Sequence, residues 1–309
     1  MLIAFQEVVA GIVNHNRPRR AQNRFRKIAE SSEPSRDHMR LTEDQVCMVA
    51  EDFDASRLHV HPKSSLHAST RRIEMSYIAS GGYCRQLAIT FATSTASDYV
   101  HEVADFLYET ASQHIKFPRP ELFGELSLPL QDPNGQNLQV ILYIDGEIVK
   151  IQRPDHAGDA YYCGRPGKHC DSVNIQYVVD KRVVIRYVVS GLSGATHDRT
   201  FIEWSREFMD FLDTLPEDVV VLGDPAYRNL HPRIVATVGG RNLAPEEIRY
   251  NDACTRIRQV VERSIGATKL KWWMSQMKEN RFPAKKGRLF AAKCMVAICQ
   301  LHNRFTNYI

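Results

Sequence analysis

Val140-Ile141-Leu142-Tyr143-Ile144-Asp145-Gly146 is the stretch on which the reading of the fold turns. An unbroken apolar run this short, preceded by the turn-like Asp132, Pro133, Asn134 and Gly135 and closed by Asp145 and Gly146, predicts a strand buried on both faces. It ends by delivering a carboxylate. Val219 to Leu222 repeats the device and runs straight into Gly223 and Asp224. Between the two, Asn174 to Val179 and Arg182 to Val189 are β-branched runs separated at Asp180 and Lys181, which predicts a hairpin. His197 to Leu215 carries Phe201, Trp204, Phe208, Phe211 and Leu212 at helical spacing. Downstream, Asn251 and Asp252 can cap a helix that turns Ile257, Val260, Val261 and Ile265 inward and bears Glu262 near its middle, and Leu289 to Leu301 predicts a closing helix.

Strand, Asp, hairpin, helix, strand, Asp, helix with Glu is an order in which a mixed sheet brings two carboxylates to adjacent strand ends and a packed helix adds a third. Hard divalent cations such as Mg²⁺ or Mn²⁺ bind through carboxylates, and two of them can activate a water and stabilise the leaving oxygen of a phosphodiester. With 36 acidic residues in the chain, any one of these acids taken alone reads more simply as a turn former or a helix-surface residue. The ordered set is what points to a site.

The region ahead of this is different in character. The first sixty or so residues are polar, with a candidate short helix from Leu41 to Phe53. Ile73 to Ile78 and Cys84 to Phe91 read as helices flanking Gly81 and Gly82, and a third follows Ser94, Thr95, Ser97 and Asp98, with Val100, Val103, Ala104 and Leu107 on one face. The tight joint between the last two suits a helix-turn-helix, in which Thr95, Ser97 and His101 would meet the major groove; an ordinary three-helix packing unit is the plainer alternative. Phe117, Pro118, Arg119 and Pro120 break the helical pattern and read as a linker. The expected organisation is an arm over 1–69, a helix-turn-helix region over 70–116 and an α/β domain over 137–305.

Composition narrows the function classes. At 43% hydrophobic and 25% charged residues the chain is a folded protein rather than a disordered one. A net charge of +4 is modest, but it is unevenly spread. Arg17, Arg19, Arg20, Arg24, Arg26 and Lys27 crowd together, and a second basic tract that includes Lys269 and Lys271 runs on to Lys293. Either tract could lie on the phosphates of double-stranded DNA or be plain solvated surface. The 7 cysteines form no C-x-x-C pair, and His156, Cys163, His169 and Cys170 fit no zinc spacing. The apolar opening is too short to span a bilayer, so a membrane is not an expected partner, and the protein is expected to stay inside the cell. Gly164 to His169 lacks the spacing of a P-loop, and no Ser or Cys nucleophile motif accompanies His197 and Asp198.

Five segments in order, YIDGEIVKIQRP (Tyr143–Pro154), GATHDRTF (Gly194–Phe201), LGDPAY (Leu222–Tyr227), RQVVERSIGATK (Arg258–Lys269) and QLHNRF (Gln300–Phe305), resemble the Harbinger superfamily of transposases and the nucleases derived from them. The resemblance covers about Val140 to Asn303. It implies a ribonuclease H-like mixed sheet flanked by helices and a DDE nuclease with Asp145, Asp224 and Glu262 as catalytic, metal-holding acids. Asp198 falls in the family's His-Asp motif, as a fourth metal ligand or as a helix N-cap. A nuclear location, a separate DNA-binding partner protein and a homo-oligomer are compatible with the resemblance. This sequence departs from the family where Glu147 and Ile148 follow Asp145-Gly146 in place of Thr-His, and where Pro225 and Ala226 follow Asp224 in place of Ser-Gly. Neither departure removes a carboxylate. The alternative is a domesticated DNA-binding or scaffold protein that no longer cuts.

Overall fold

The computed structural model describes residues 43–56, 93–153, 159–165, 167–271 and 287–305. By its internal contacts the chain divides into two units, residues 1–103 and 104–309. In the first, α1 (Glu43–Ser56) buries Val46, Val49, Ala50 and Phe53, the one-sided spacing expected of an amphipathic helix. Helix α2 (Thr93–Glu109) crosses the boundary. The two helices expected before it, and the arm with Arg17 to Lys27, lie outside the described residues. Of the expected helix-turn-helix, only the segment of α2 lies among the described residues.

Among the described residues the second unit holds a mixed seven-stranded sheet in which β1 (Leu128–Gln131), β3 (Tyr162–Cys163) and β7 (Ile234–Val235) are short; its path is β3-β4-β2-β6-β7, with β1 paired to β2 and β5 to β4. The run around Ile144 forms β2 (Asn137–Lys150), which is longer than expected and carries Asp145 past its middle. What ends near Asp145 is its neighbour. Strand β6 (Val219–Leu222) lies parallel to β2 and stops at the Tyr143–Leu222 pair, whereas β4 (Cys170–Val179) stays antiparallel to β2 from Tyr143 to Lys150. Asp145 thus stands on a continuing strand at the point where one flank of the sheet opens, and Gly223 and Asp224 emerge beside it.

Strands β4 and β5 (Ile185–Ser193) form the expected hairpin. The span predicted as one helix is two, α3 (Asp198–Glu203) and α4 (Arg206–Asp213), broken at Trp204 and Ser205. Phe201 and Ile202 of α3 and Phe208 and Leu212 of α4 enter the core, while the break turns Trp204 out, 67% exposed, against the inward position expected from spacing. Buried Ser205 bonds the Tyr187 hydroxyl instead of continuing the helix. Phe117, expected in a linker, stacks on Phe211 with ring centroids 4.2 Å apart. Helix α5 (Pro245–Lys271) begins earlier than Asn251. Proline suits its first turn, and Glu247 reaches back to accept from the Ala244 amide at 2.7 Å. Asn251, expected as the cap, instead bonds both the amide and the carbonyl of Val238, at 2.7 and 2.9 Å.

The closing helix α6 (Gly287–Phe305) packs on β4 and β5. Its last turns explain the segment QLHNRF. Asn303 accepts from the Ile185 amide at 2.9 Å and donates to the carbonyls of Ile185 and His114, so one side-chain amide pairs both backbone groups of the first residue of β5 as a further strand would. Buried His302 donates to the carbonyl of Val183 at 3.0 Å. Val183 sits at a φ of 69°, costly for a β-branched residue, and the hairpin tip is held there by Asp180, which accepts from the amides of Arg182 and Val184. Replacing Asn303 with Ala leaves the Ile185 groups without these partners. Stability in chemical denaturation should fall by about 2 kcal/mol, with little change in secondary structure by circular dichroism.

Candidate active site

Asp145 and Asp224 lie in one electrostatic environment. Burial raises the Asp145 carboxyl above its ordinary range; the Gly146 amide and Arg258 pull it back, and Asp224 and Asp198 push it further up. Asp224 is raised in the same way by burial, lowered by the Ala226 amide and Arg258, raised by Asp198 and lowered by Arg165. The two acids share Arg258 as a countercharge. Asp145 accepts from Gly146 N at 2.8 Å and from the Arg258 guanidinium at 3.3 Å. Asp224 accepts from Ala226 N at 2.8 Å, as the cap of a 3-10 turn started by Pro225.

Asp198 is the third acid of this group. His197, not Asp198, occupies the N-cap of α3, and no side-chain cap is made there. The Asp198 carboxylate turns inward to Arg165 at 3.0 Å, Asn174 at 2.7 Å and Gln176 at 3.0 Å. Gln176 Oε1 also accepts a hydrogen bond from the hydroxyl of Tyr227, which is fully buried. Burial and the neighbouring acids push the Tyr227 phenol well up, so it stays a donor. Two glycines make room for this packing. A Cβ on Gly146 would meet the Gln176 amide nitrogen at 2.6 Å, and one on Gly223 would meet the Tyr227 ring at 2.8 Å.

Glu262 does not enter this cluster. It is exposed on α5, four residues beyond Arg258 and therefore on the same helical face. Among the described residues no three His, Cys, Asp or Glu side chains are grouped closely enough to hold a metal ion. Asp145, Asp198 and Asp224 come within each other's field, while the third expected catalytic acid stands one turn away from the guanidinium that bridges to them.

The sequence reading omitted Arg165, Asn174, Gln176, Tyr227 and Arg258. A signal was present for two of them: Asn174 and Gln176 alternate in an otherwise apolar strand, and buried amides must find partners. Of the expected DNA-contact residues, Thr95, Ser97 and His101 lie in α2 and Lys269 and Lys271 in α5. Arg17, Arg19, Arg20, Arg24, Arg26 and Lys27 lie outside the described residues. Cys163 and Cys170 face each other in the β3–β4 register as free thiols. No helix among the described residues is long and apolar enough to cross a membrane.

The profile of the DDE superfamily endonucleases matches residues 144–303. The chain belongs to this family. It is also 27% identical over 202 residues to a Rattus norvegicus protein and to a Mus musculus protein, each named "Putative nuclease HARBI1", an alignment covering 62% of this chain and 54% of each of theirs. The Xenopus laevis protein of that name is 26% identical over 232 residues, 74% of this chain and 65% of its own. The chain thus spans about half of the two mammalian relatives. No solved structure matches it. These relationships bear out the resemblance to Harbinger-derived nucleases.

Carboxylate oxygens are the donors a hard divalent cation prefers, but in this structure guanidinium groups supply the balancing charge and no three acids among the described residues lie close enough together to hold an ion. Carboxyls whose folded-state pKa is raised bind protons more readily when folded, so stability is lost as pH rises between the ordinary and the raised value. Asp224→Asn keeps the cap and removes a charge. Its melting temperature should exceed that of the unmodified protein by about 2–4 °C at neutral pH, and the difference should vanish below about pH 4, where carboxyls are protonated in both states. Adding Mn²⁺ should raise the melting temperature of the unmodified protein and not that of the variant.

Proposed function

We propose that this chain is a metal-dependent DNA endonuclease core of transposase descent, with a ribonuclease H-like arrangement in which Asp145, Asp224 and Glu262 are the catalytic carboxylates. The observation that carries the reading is the pairing of Asp145 and Asp224 where β6 ends against β2, both raised by burial and drawing on one arginine. Such an arrangement is unfavourable for folding unless it serves a cation.

Asp145 is fixed by the β2 ladder and by its bond from Gly146, and Asp224 by the cap it makes on the turn that follows. Both oxygen sets are thereby aimed by backbone, with little left to side-chain freedom. Arg258 neutralises Asp145 in this structure, and Glu262, four residues on along α5, would join the site if the guanidinium moved aside. Asp145, Asp224 and Glu262 would hold a divalent ion, Mg²⁺ or Mn²⁺, with Asp198 beside them. When bound, such ions supply an activated water and stabilise the leaving oxygen of a phosphodiester.

Double-stranded DNA is the proposed substrate, in keeping with the family match, and the nucleus the proposed location. Arg17 to Lys27 and the tract with Lys269 and Lys271 would contact phosphate, and Thr95, Ser97 and His101 base edges. The low net charge leaves room for a separate DNA-binding partner and for a second copy of the chain. One observation favours the second reading, a DNA-binding protein that no longer cuts: the Arg258–Asp145 ion pair occupies an acid that catalysis would need.

Nicking of supercoiled plasmid carrying candidate terminal repeats, with Mg²⁺ or Mn²⁺ and a chelator control, separates the two. The unmodified protein should cut, and Glu262→Gln should lose about a hundredfold or more in rate, the scale of losing one stabiliser of transition-state charge. DNA affinity without metal should be unchanged or slightly higher, since one fewer acid opposes the phosphates. Equal cutting by Glu262→Gln sinks the role of Glu262, and absence of cutting under every metal and partner condition favours the second reading.

A further inference from the structure

Asp198 has more side-chain donors than either Asp145 or Asp224. Its Oδ1 accepts from Asn174 Nδ2 at 2.7 Å, Gln176 Nε2 at 3.0 Å and Arg165 Nη2 at 3.4 Å, and its Oδ2 accepts from Arg165 Nη1 at 3.0 Å. Two of these donors are amides, and an amide presents a donating end and an accepting end of nearly the same shape. Something must set which end faces the acid.

The Tyr227 hydroxyl does so. It donates to Gln176 Oε1, which leaves Gln176 Nε2 for Asp198 and for Asn174 Oδ1, the latter at 3.0 Å. With its own oxygen so occupied, Asn174 turns Nδ2 to Asp198 and to the Thr196 carbonyl at 3.2 Å. The opposite sense would set the Gln176 oxygen against the Asp198 carboxylate. Asn174, Gln176 and Tyr227 are each 0% exposed, so water does not compete for these bonds. Gly146 passes close beneath, with no room for a side chain against Gln176 or Asp198.

We propose that Tyr227 is a positioning residue which, through Gln176 and Asn174, gives a buried hydrogen-bond relay its direction and commits Asp198 Oδ1 to the protein. Oδ2 is then the oxygen left to Arg165 alone, and the one that would be free for an ion when the guanidinium withdraws, a role that rests on the nuclease reading above. The partner of Oδ2 is Arg165, the more exposed member of the pair at 36% against 15%, and the one with freedom to withdraw. The direction of the relay itself rests only on the hydrogen bonds.

A double-substitution cycle with Tyr227→Phe and Asp198→Asn tests both parts. In chemical denaturation without metal, Asp198→Asn should destabilise the protein, because an amide is placed among donors locked toward it. In the Tyr227→Phe background the Gln176 amide can turn over, so the same change should cost distinctly less. Additive effects overturn the relay. Calorimetric titration with Mn²⁺, without DNA, addresses the site: Tyr227→Phe should weaken binding about tenfold when Asp198 is intact and not further in the Asp198→Asn background. An equal loss in both backgrounds overturns Asp198 as the group being positioned. If the unmodified protein takes up no Mn²⁺, the nuclease reading fails, and non-additivity in stability alone decides the relay. Should Tyr227→Phe not fold, Gln176→Met, which cuts the relay at its middle, must show the same dependence on residue 198 for the inference to survive.

Discussion

Repulsion among Asp145, Asp198 and Asp224 is the constraint the second unit has to meet. Burial discourages Asp145 and Asp224 from ionising; Asp224 and Asp198 push Asp145 further up, and Asp198 pushes up Asp224. The compensation comes from separate parts of the chain: Arg258 from α5, Arg165 from the loop after β3, two amides from β4, and backbone N–H groups at Gly146 and Ala226. Because these contributors are far apart in sequence, the acids can be gathered only after sheet and helices are assembled. The site is thus a product of the whole fold, not of one loop.

The sheet supplies the asymmetry. On one flank β2 keeps its partner through to Lys150, and on the other β6 leaves at Leu222. Asp145 has backbone support from one side and an opening on the other, and Gly223 lets Asp224 emerge under the Tyr227 ring. Glycine at 146 and 223 is therefore required by close approach. The departures from the family pattern at Glu147, Ile148, Pro225 and Ala226 leave both conditions intact: Pro225 starts the turn that Asp224 caps, and Glu147 is buried with the Tyr177 hydroxyl as a partner.

How much of this the sequence disclosed follows from what each signal measures. Apolar runs report burial, and they placed β2, β4, β5, β6 and α6 correctly. They do not report where a strand stops when its neighbour does, so the reach of β2 beyond Asp145 was missed. Helical spacing continued through Trp204 because Phe201 and Phe208 fit a single period, and the spacing contains nothing about the Ser205–Tyr187 bond that breaks the helix. Asn251 has the chemistry of a cap, but Val238 claimed it for a tertiary contact. Asp145, Asp198 and Asp224 were found as members of an ordered set. Their arginine and amide partners were not, because pairing between residues 22 to 113 apart leaves no trace in local pattern.

The bond between Asn303 and Ile185 spans 118 residues and pairs the outer backbone groups at the start of β5. During synthesis the hairpin leaves the ribosome long before the helix that covers it. Until residue 303 follows, β5 presents an unpaired row of amides and carbonyls, the kind of edge that recruits a second strand. A nascent chain of this protein therefore passes through a period in which its sheet is built and its edge is open, and a chaperone or a stalled ribosome would meet it in that form.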